Sequence, residues 1–436
     1  MHQPPAGGGP ALRTAAALRT AAASRPPATS RIATLDLVRG VAVLGIVAIN
    51  VGGFAGTLDT TDTPALPAGA HGLDAAVFAD AFVVFEGKMR ALFSMLFGAS
   101  MLLFLERAEA AGRPAHALQL RRLGWLGLFG YAHYLLLWWG DILFLYALCG
   151  ALALVLSPLP ARVQAVLGVM GFGLWHVWGM LGSLPDLLTV EALRAHTATL
   201  AQQHDAALTL AAAQGRVAQD LAAARLGFWG LAAHKLAVAP FWPLTVTLYT
   251  VGETLPLMLI GMALYRSGFW QGRWPRAAVA GLLAGALVVG GALCGALLAW
   301  SWSRGFPVQA MGAVLAYWAG PEHLALGLAY GCALVLAAPR LLATALGRRL
   351  VAAGRMAFSN YLGTSLLLAF VCNGWGLGLV GQISRAAQLG LAGAIWAVML
   401  VWSPLWLAHF RQGPLEWLWR SLTEGRALPL RRISPS

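Results

Sequence analysis

The sequence predicts an all-α polytopic helical bundle of about ten transmembrane helices, with both termini on the cytoplasmic side. The first observation is composition: 59% of the residues are hydrophobic and only 11% are charged. Soluble domains carry about 25% charged residues, because charge hydrates their surface. This chain of 436 residues must therefore expose much of its surface to lipid. The other two observations are a series of long apolar segments and an alternation of arginines between the loops.

Ten apolar segments approach the length of about 20 residues that a helix needs to cross a bilayer. The third and fourth are separated only by a tight turn, Trp138–Asp141, and residues 74–88 are expected to form an amphipathic helix leading into the second. The segments cover residues 35–56, 89–105, 122–139, 141–157, 163–182, 243–265, 277–300, 319–338, 354–373 and 387–409.

The orientation follows from the positive-inside rule, by which Lys and Arg accumulate in cytoplasmic loops. Arginines concentrate in both tails and in alternate loops, and the intervening loops hold few basic residues. The same bias explains the net charge of +13 without nucleic acid as a partner. No basic run is interleaved with solvent-facing aromatic residues, which nucleic-acid binding would favour.

Three regions follow from this organisation. Residues 1–30 are rich in Ala, Pro, Gly, Thr and Arg, with ALRTAA repeated at 11–16 and 17–22. They are interpreted as a disordered cytoplasmic tail or a mis-set start, with a transit peptide as the alternative. Residues 31–410 form the transmembrane domain, and 411–436 form a cytoplasmic tail. Within the domain, 183–240 is too polar to span and is expected to lie outside as an amphipathic lid or interfacial helix pair.

The usual signatures of soluble enzymes and metal sites are missing from the sequence. The four cysteines lie in apolar segments without a CxxC pair, so neither a disulfide framework nor a zinc site is indicated. No Walker loop, GxSxG elbow or dinucleotide fingerprint occurs in a suitable context. No metal cofactor is expected, and the lipid bilayer is the expected surrounding.

The first span carries three polar residues on one helical face, Asp36, Arg39 and Asn50. A polar side chain within a bilayer pairs with another group or faces water, so this face is predicted to point into the bundle. Two interpretations stay open. The three residues line a substrate site, or Asp36 and Arg39 form an anchoring ion pair while Asn50 bonds a neighbouring helix.

The second span begins with three charged residues, Glu86, Lys88 and Arg90. Glu86 and Arg90 are four residues apart and can pair, which leaves Lys88 on a different face of the helix. Lys88 then either extends to an interface or lines an outward-facing cavity and binds an anionic group.

His133 lies in the third span, about two helical turns before Asp141. A histidine at this depth is a candidate general base if a second group orients it, and Asp141 can do so if the turn folds back. The alternative is a buried histidine bonded to a backbone carbonyl. Glu253, an acid within the sixth span, is expected to pair with Arg39, Lys88 or His133.

Six segments, in order from residue 31, resemble the YeiB-like family of bacterial membrane proteins, whose shared domain has no known function. The resemblance implies a multi-pass protein of the bacterial cytoplasmic (inner) membrane, and it does not extend to the N-terminal tail or to the length of the outer loop. The segments are RIATLDLVRGVAVLGIVAIN at 31–50, FEGKMRALFSMLFGAS at 85–100, RRLGWLGLFGYAHYLLLWWGDILFLYALCG at 121–150, GETLPLMLIGMALYRSGFW at 252–270, GRMAFSNYLGTS at 354–365 and HFRQGPLEWLWRSLT at 409–423.

The opening pattern, LDxxRGxAxLGIxxxN, is also similar to the first helix of membrane acyltransferases. These include the bacterial O-acyltransferases and the lysosomal heparan-glucosaminide N-acetyltransferase, which pass an acyl group from cytosolic acyl-CoA to an acceptor across the membrane. The O-acyltransferases carry a catalytic histidine where this chain has Asn50, and Asn cannot act as a general base. The N-acetyltransferase resembles this chain in having Asn there, with its essential histidine in the outer loop before the second span. His71 lies in the comparable place, although it also fits an ordinary loop histidine.

These observations favour acyl transfer from cytoplasmic acyl-CoA to a hydroxyl or amine of an envelope glycan or lipid on the outer side. His133 oriented by Asp141, or else His71, would deprotonate the acceptor, and Asn50 would bond the oxyanion. Five cytoplasmic arginines would bind the CoA phosphates, although positive-inside topology explains them equally well. They are Arg121, Arg122, Arg348, Arg349 and Arg355.

Two other functions are compatible with the sequence. A transporter or exporter of a small or amphipathic solute would use the intramembrane polar residues as its binding site. Those residues are Asp36, Arg39, Asn50, Lys88 and Glu253. A non-catalytic membrane scaffold is the third interpretation, and it leaves several ionisable groups at membrane depth without a role.

Overall fold

The computed structural model describes residues 28–66, 69 and 72–432, so His71 and most of the predicted N-terminal tail lie outside the described residues. The described chain is helical, as predicted. A π-helical segment, Val314–Trp318, joins α12 to α13. The helices are α1 Ala28–Ala55, α2 Leu58–Asp62, α3 Gly72–Val84, α4 Lys88–Ala110, α5 Ala115–Leu136, α6 Leu143–Val155, α7 Ala161–Arg194, α8 Leu200–Ala224, α9 Phe228–Val238, α10 Trp242–Arg266, α11 Arg276–Ser303, α12 Val308–Ala313, α13 Gly320–Leu341, α14 Ala345–Arg355, α15 Ala357–Cys372, α16 Arg385–His409 and α17 Pro414–Glu424.

Seven helical segments among the described residues are long and apolar enough to cross a membrane. They comprise α1 from Ala33 onward, α3 with α4, and then α7, α10, α11, α13 and α16. The three other predicted spans coincide with α5, α6 and α15, which are shorter or more polar. The polytopic helical fold is therefore confirmed, and the count of ten spans and their orientation stay predictions.

Because successive spans run in opposite directions, their connections alternate between two ends of the bundle. At one end α17 folds back onto the start of α5, where the indole of Trp419 donates to the Arg122 carbonyl at 2.8 Å. At the other end the α5–α6 turn meets α10, where the indole of Trp242 donates to the Trp139 carbonyl at 2.9 Å. We call the first the inner end and the second the outer end, after the predicted orientation.

The centre of the bundle depends on a close crossing of α4 and α10. A Cβ atom at Gly98 would collide with the Met258 carbonyl, and a Cβ atom at Gly261 would collide with the Met95 carbonyl. The two glycines let the helix backbones touch, as small residues do in membrane bundles. Met95 and Met258 are fully buried in the large apolar core around this crossing.

Residues 183–240, the polar segment predicted to lie outside the membrane, are largely helical, as predicted. Helix α7 continues to Arg194, beyond the membrane boundary predicted at residue 182, and α8 and α9 follow. The side chains of Thr199 and Gln202 form a capping box that satisfies free backbone N–H groups at the start of α8. His196 and His204 of this segment are exposed.

Candidate functional site

The α5–α6 turn brings Asp141 back onto His133, as the sequence predicts. Nδ1 of His133 lies 2.9 Å from Oδ1 of Asp141, and both side chains are almost completely buried. The second carboxylate oxygen of Asp141 accepts the backbone N–H of Phe144 at 2.8 Å, which fixes the carboxylate at the start of α6. The start of α6 therefore fixes the position of the carboxylate independently of its contact with the imidazole.

This geometry determines where His133 carries its proton. An ionised carboxylate only accepts hydrogen bonds, so the proton of the neutral imidazole sits on Nδ1, which donates to Asp141. The lone pair is then on Nε2, which has no hydrogen-bond partner among the described residues. A buried histidine with one nitrogen oriented by a carboxylate and the other free has the arrangement of a general base.

Aromatic rings enclose His133 on two sides. The Tyr361 ring of α15 lies 5.2 Å from the imidazole, and the Trp138 ring of the α5–α6 turn lies 6.5 Å from it, measured between centroids. Tyr361 lines a cavity that extends towards the inner end, and Trp138 lines another at the outer end. His133 itself lines neither cavity, so it is one aromatic ring away from each.

The inner cavity has a volume of about 200 Å³ and an apolar wall with polar groups at both of its ends. Asn50 and Tyr361 lie at the end nearer to His133, and Arg39, Arg122 and Arg355 lie at the other end. The wall between them includes Val43, Ile46, Val47, Phe93, Leu96, Phe97, Met101, Leu126, Ile142, Leu143 and Phe358.

The three arginines at the inner end differ in their partners. Arg39 binds Asp36 at 2.6 Å and Ser100 at 2.8 Å, so the predicted Asp36–Arg39 ion pair is confirmed. Arg122 stacks on the Trp419 ring at 4.1 Å. Neither Arg122 nor Arg355 has a carboxylate partner within 4.0 Å among the described residues. Arg355 donates one hydrogen bond to the Arg411 carbonyl at 3.1 Å, so the positive charge of neither Arg122 nor Arg355 is neutralised by a carboxylate.

Glu416 lies among these arginines but is held by the start of α15. It accepts hydrogen bonds from the backbone N–H groups of Phe358 and Ser359 and from the Ser359 hydroxyl. A carboxylate at a helix N-terminus is stabilised by these free N–H groups and by the helix dipole. Burial nevertheless raises the pKa of Glu416 above its usual value. Glu416 thus has its hydrogen bonds satisfied without an arginine.

The outer cavity has a volume of about 730 Å³ and is lined by charged, aromatic and amide side chains. Its residues come from the ends of α1 and α5, the α5–α6 turn, α2, α7, α8, α9, the start of α10, α12 and the segment after α15. The charged and aromatic groups are Asp59, Asp62, Asp186, Asp220, Arg216, His234, Lys235, Phe54, Tyr134, Trp138, Trp139 and Trp242.

Two of these charged groups titrate near neutrality. Burial, together with the nearby carboxylates of Glu86 and Asp59, raises the pKa of Asp62 from 3.8 to about 7. Burial lowers the pKa of Lys235 from 10.5 to about 7, and its ammonium group donates to the Tyr134 carbonyl at 2.7 Å. The charge of the outer cavity therefore changes around neutral pH.

The structure contradicts the prediction for Lys88. Its side chain is completely buried, with Nζ 2.7 Å from Oε1 of Glu322 and 2.6 Å from the Phe82 carbonyl. Lys88 is therefore paired and does not line an outward-facing cavity. No local feature of the sequence indicates this pairing, since Glu322 follows 234 residues later.

The predicted partners of Glu253 are also wrong. Its carboxylate binds Arg90, with Nε and Oε1 3.2 Å apart, and does not pair with Arg39, Lys88 or His133. Glu86 lies 3.9 Å from the same guanidinium, so the predicted Glu86–Arg90 pair exists as the weaker part of a triad.

Two of the five predicted phosphate-binding arginines, Arg122 and Arg355, line the inner cavity. The other three, Arg121, Arg348 and Arg349, are exposed and do not line it. Arg121 and Arg122 are adjacent on α5, so helical phase places only Arg122 at the cavity.

The sequence reasoning missed several residues of the site. Tyr361 and Glu416 lie within the GRMAFSNYLGTS and HFRQGPLEWLWRSLT segments, so the signal was present but not resolved to single positions. Tyr146 lines the inner cavity and bonds the Ser94 hydroxyl at 2.7 Å. A tyrosine within an apolar helix carries no sequence signal that distinguishes such a position from ordinary packing.

The fold and the site define a polytopic helical membrane protein with a buried histidine–carboxylate pair between two cavities. Residues 264–426 match the family model described as "Protein of unknown function (DUF418)". The chain is 30% identical over 402 residues to "Uncharacterized protein YxaH" of Bacillus subtilis (strain 168), covering 90% of this chain and 94% of that protein. It is 29% identical over 432 residues to "Uncharacterized protein YeiB" of Escherichia coli (strain K12), covering 92% and 98%. This chain therefore belongs to the YeiB-like family. No solved structure matches it.

Proposed function

We propose that this protein is an acyltransferase of the bacterial inner membrane. It passes an acyl group from an acyl-CoA thioester bound at the inner end to a hydroxyl or amine acceptor bound at the outer end. The observation that carries the proposal is the buried His133–Asp141 pair, with Nε2 free and one ring away from each of two cavities. Under the positive-inside rule, these cavities face the cytoplasm and the outer side.

The inner cavity has the chemistry of a thioester site. Arg122 and Arg355, which lack carboxylate partners among the described residues, suit the phosphates of CoA, and the apolar wall suits the pantetheine arm and acyl chain. Asn50 lies at the far end of this wall. Its amide can donate a hydrogen bond to the thioester oxygen as negative charge develops there, a contribution of about 3–4 kcal/mol in enzymes with such a donor.

The reaction balances without a further reagent. Nε2 of His133 takes the proton of the acceptor hydroxyl or amine, and the freed lone pair attacks the thioester carbonyl carbon. The carbon–sulfur bond breaks as the tetrahedral intermediate collapses. The leaving thiolate takes the proton from Nε2, which yields the acylated acceptor and free CoA. Asp141 stays ionised and stabilises the imidazolium that forms between these steps.

The two cavities must communicate for this transfer. Tyr361 and Trp138 separate His133 from them, so at least one ring must rotate as the substrates bind. Side-chain rotations of this kind are fast compared with typical turnover. The resting arrangement thus protects the base, and substrate binding exposes it.

The test is thioester consumption by the detergent-purified full chain. Acetyl-CoA and palmitoyl-CoA are supplied with a bacterial envelope fraction as the acceptor source, and released thiol is measured. We expect turnover by the wild type and a loss of about 10²–10⁴-fold in His133→Gln, the usual contribution of a general base. His176→Gln is the matched control, since His176 is also buried but lines neither cavity. Equal activity of the two variants, or no binding of either thioester by the wild type, contradicts the proposal.

An exporter of a small or amphipathic solute is the second candidate. Two cavities at opposite ends with a thin aromatic wall between them also have the shape that alternating access requires. The thioester experiment separates the two functions. An exporter moves solute into proteoliposomes without binding acyl-CoA, whereas the transferase binds acyl-CoA and releases thiol.

A further inference from the structure

The outer cavity carries more negative than positive side chains. Four carboxylates line it, those of Asp59, Asp62, Asp186 and Asp220, and the lining includes two residues with cationic side chains, Arg216 and Lys235. His234 is the remaining titratable group of the lining apart from Tyr134. A cavity with this balance attracts positively charged ligands and repels anions.

Contacts within the protein leave most of this negative charge unpaired. Asp59 binds Arg216 at 2.6 Å, and Lys235 donates to a backbone carbonyl and not to a carboxylate. Asp62, Asp186 and Asp220 have no cationic partner within 4.0 Å among the described residues. Three carboxylates therefore line the cavity without a cationic partner, of which Asp62 is half-buried and Asp186 and Asp220 are exposed.

The aromatic walls of the cavity offer ring faces to a ligand. The indole N–H groups of Trp138 and Trp242 donate to the carbonyls of Gly53 and Trp139, at 3.0 and 2.9 Å. Trp138 stacks on Phe54 with the ring centroids 4.5 Å apart, so one of its faces is covered, and the rest of its indole lines the cavity together with Trp242. The faces of tryptophan rings attract ammonium groups, most strongly where water is excluded.

A buried amide adds a polar contact to the same cavity. The Asn373 side chain is only 8% exposed and lines the outer cavity, and it has no hydrogen-bond partner among the described residues. An amide offers both donors and an acceptor, so it suits a ligand hydroxyl.

We propose that the outer cavity binds an ammonium compound that carries a hydroxyl group, held by unpaired carboxylates and tryptophan faces. If this compound is the acyl acceptor, its hydroxyl is the group that is acylated, and that part of the inference rests on the proposed function. The binding of the compound is inferred from the cavity alone. The ammonium group binds the carboxylates of the lining that lack a cationic partner, and the hydroxyl bonds the Asn373 amide.

The test compares cations with neutral molecules of the same shape. Choline is paired with 3,3-dimethylbutan-1-ol, and glucosamine with glucose, and binding to the detergent-purified full chain is measured by calorimetry at pH 8. We expect the cation of at least one pair to bind at least tenfold more tightly than its neutral counterpart. Asp62→Asn and Asp220→Asn should each weaken that cation at least fivefold. Glu109→Gln, which is exposed and outside the cavity lining, should not.

The outcomes distinguish this inference from the proposed function. Equal or absent binding within both pairs, or cation binding unaffected by the Asp62 and Asp220 variants, overturns the ammonium site even if thioester turnover is observed. Preferential cation binding that Asp62→Asn weakens supports the site. If this binding occurs without thioester turnover, the proposed acyl transfer fails while the cation site stands.

Discussion

The buried ion pair between Lys88 and Glu322 predicts a large and specific dependence of stability on both partners. Nζ and Oε1 are 2.7 Å apart, and both side chains are completely excluded from the surface. Replacing one partner leaves the other as an uncompensated charge within the bundle. We expect Lys88→Met and Glu322→Gln each to lower the free energy of unfolding by about 3–5 kcal/mol.

The double variant tests whether the effect comes from the pairing. A pair of unit charges 4 Å apart contributes about 4 kcal/mol at an effective dielectric constant of 20. Once both charges are gone, neither desolvation nor attraction remains. Lys88→Met combined with Glu322→Gln should therefore lie within about 2 kcal/mol of the wild type, well above either single variant.

Unfolding in mixed micelles with increasing SDS, followed by fluorescence of the 18 tryptophans, measures these differences. The matched control is Arg113→Ala, which removes the Arg113–Glu424 pair, where the Arg113 side chain is 41% exposed. An exposed pair contributes about 0–1 kcal/mol, so this variant should be nearly neutral. If the two single losses add in the double variant, or if Lys88→Met is as mild as the control, the pairing does not stabilise the bundle as argued.

Three further predictions concern the His133–Asp141 pair, the outer cavity and the crossing of α4 and α10. Asp141→Asn should reduce thiol release from acyl-CoA by about 10⁴-fold without unfolding the chain, because the imidazole loses its orienting carboxylate. The pKa of Asp62 is about 7 in the folded chain, compared with an ordinary value of 3.8. Between pH 4 and 7 the unfolded chain therefore loses this proton while the folded chain keeps it, so the free energy of unfolding of the wild type falls as pH rises. Asp62→Asn should remove this dependence and be more stable at pH 8 by at most about 4 kcal/mol in the SDS titration. Gly98→Ala should destabilise the chain by more than about 2 kcal/mol in that titration, because the added methyl group collides with the Met258 carbonyl. The control is Gly285→Ala, where the added methyl group meets open space, and it should be neutral or stabilising by up to about 1 kcal/mol.

Each of these predictions has a result that contradicts it. Full activity of Asp141→Asn means that the carboxylate does not orient the base. Parallel stability curves of wild type and Asp62→Asn from pH 4 to 8 mean that this carboxyl ionises normally in the folded chain. Equal effects of the two alanine variants mean that α4 and α10 do not touch at Gly98.

The sequence predicted what depends on local chemistry. Each apolar segment became a helix because a backbone in lipid must satisfy its hydrogen bonds within the segment. The contact between His133 and Asp141 was also accessible, since only eight residues and a tight turn separate them. Asp36 and Arg39 met as expected because they are three residues apart on one helix.

What depended on the arrangement of helices could not be read from the sequence. Lys88 and Glu322 are far apart in the chain, as are Arg90 and Glu253, and hydropathy does not indicate which helices become neighbours. Only two of the five arginines predicted to bind phosphate line the inner cavity, for a related reason. The positive-inside rule places Arg121 and Arg122 on the same side of the membrane, but only packing decides that Arg122 faces the cavity.

The wall of Trp138, His133 and Tyr361 also has a consequence for the energy supply of the cell. A bacterial inner membrane stores its proton gradient only if it remains insulating, and a continuous column of water through this bundle would discharge it. Three neighbouring rings in tilted and edge-on contact, with the Nε2 nitrogen of His133 left free among them, interrupt such a column. Under the proposed function, the acyl group would cross the membrane while CoA stays on one side, and the proton gradient would be preserved.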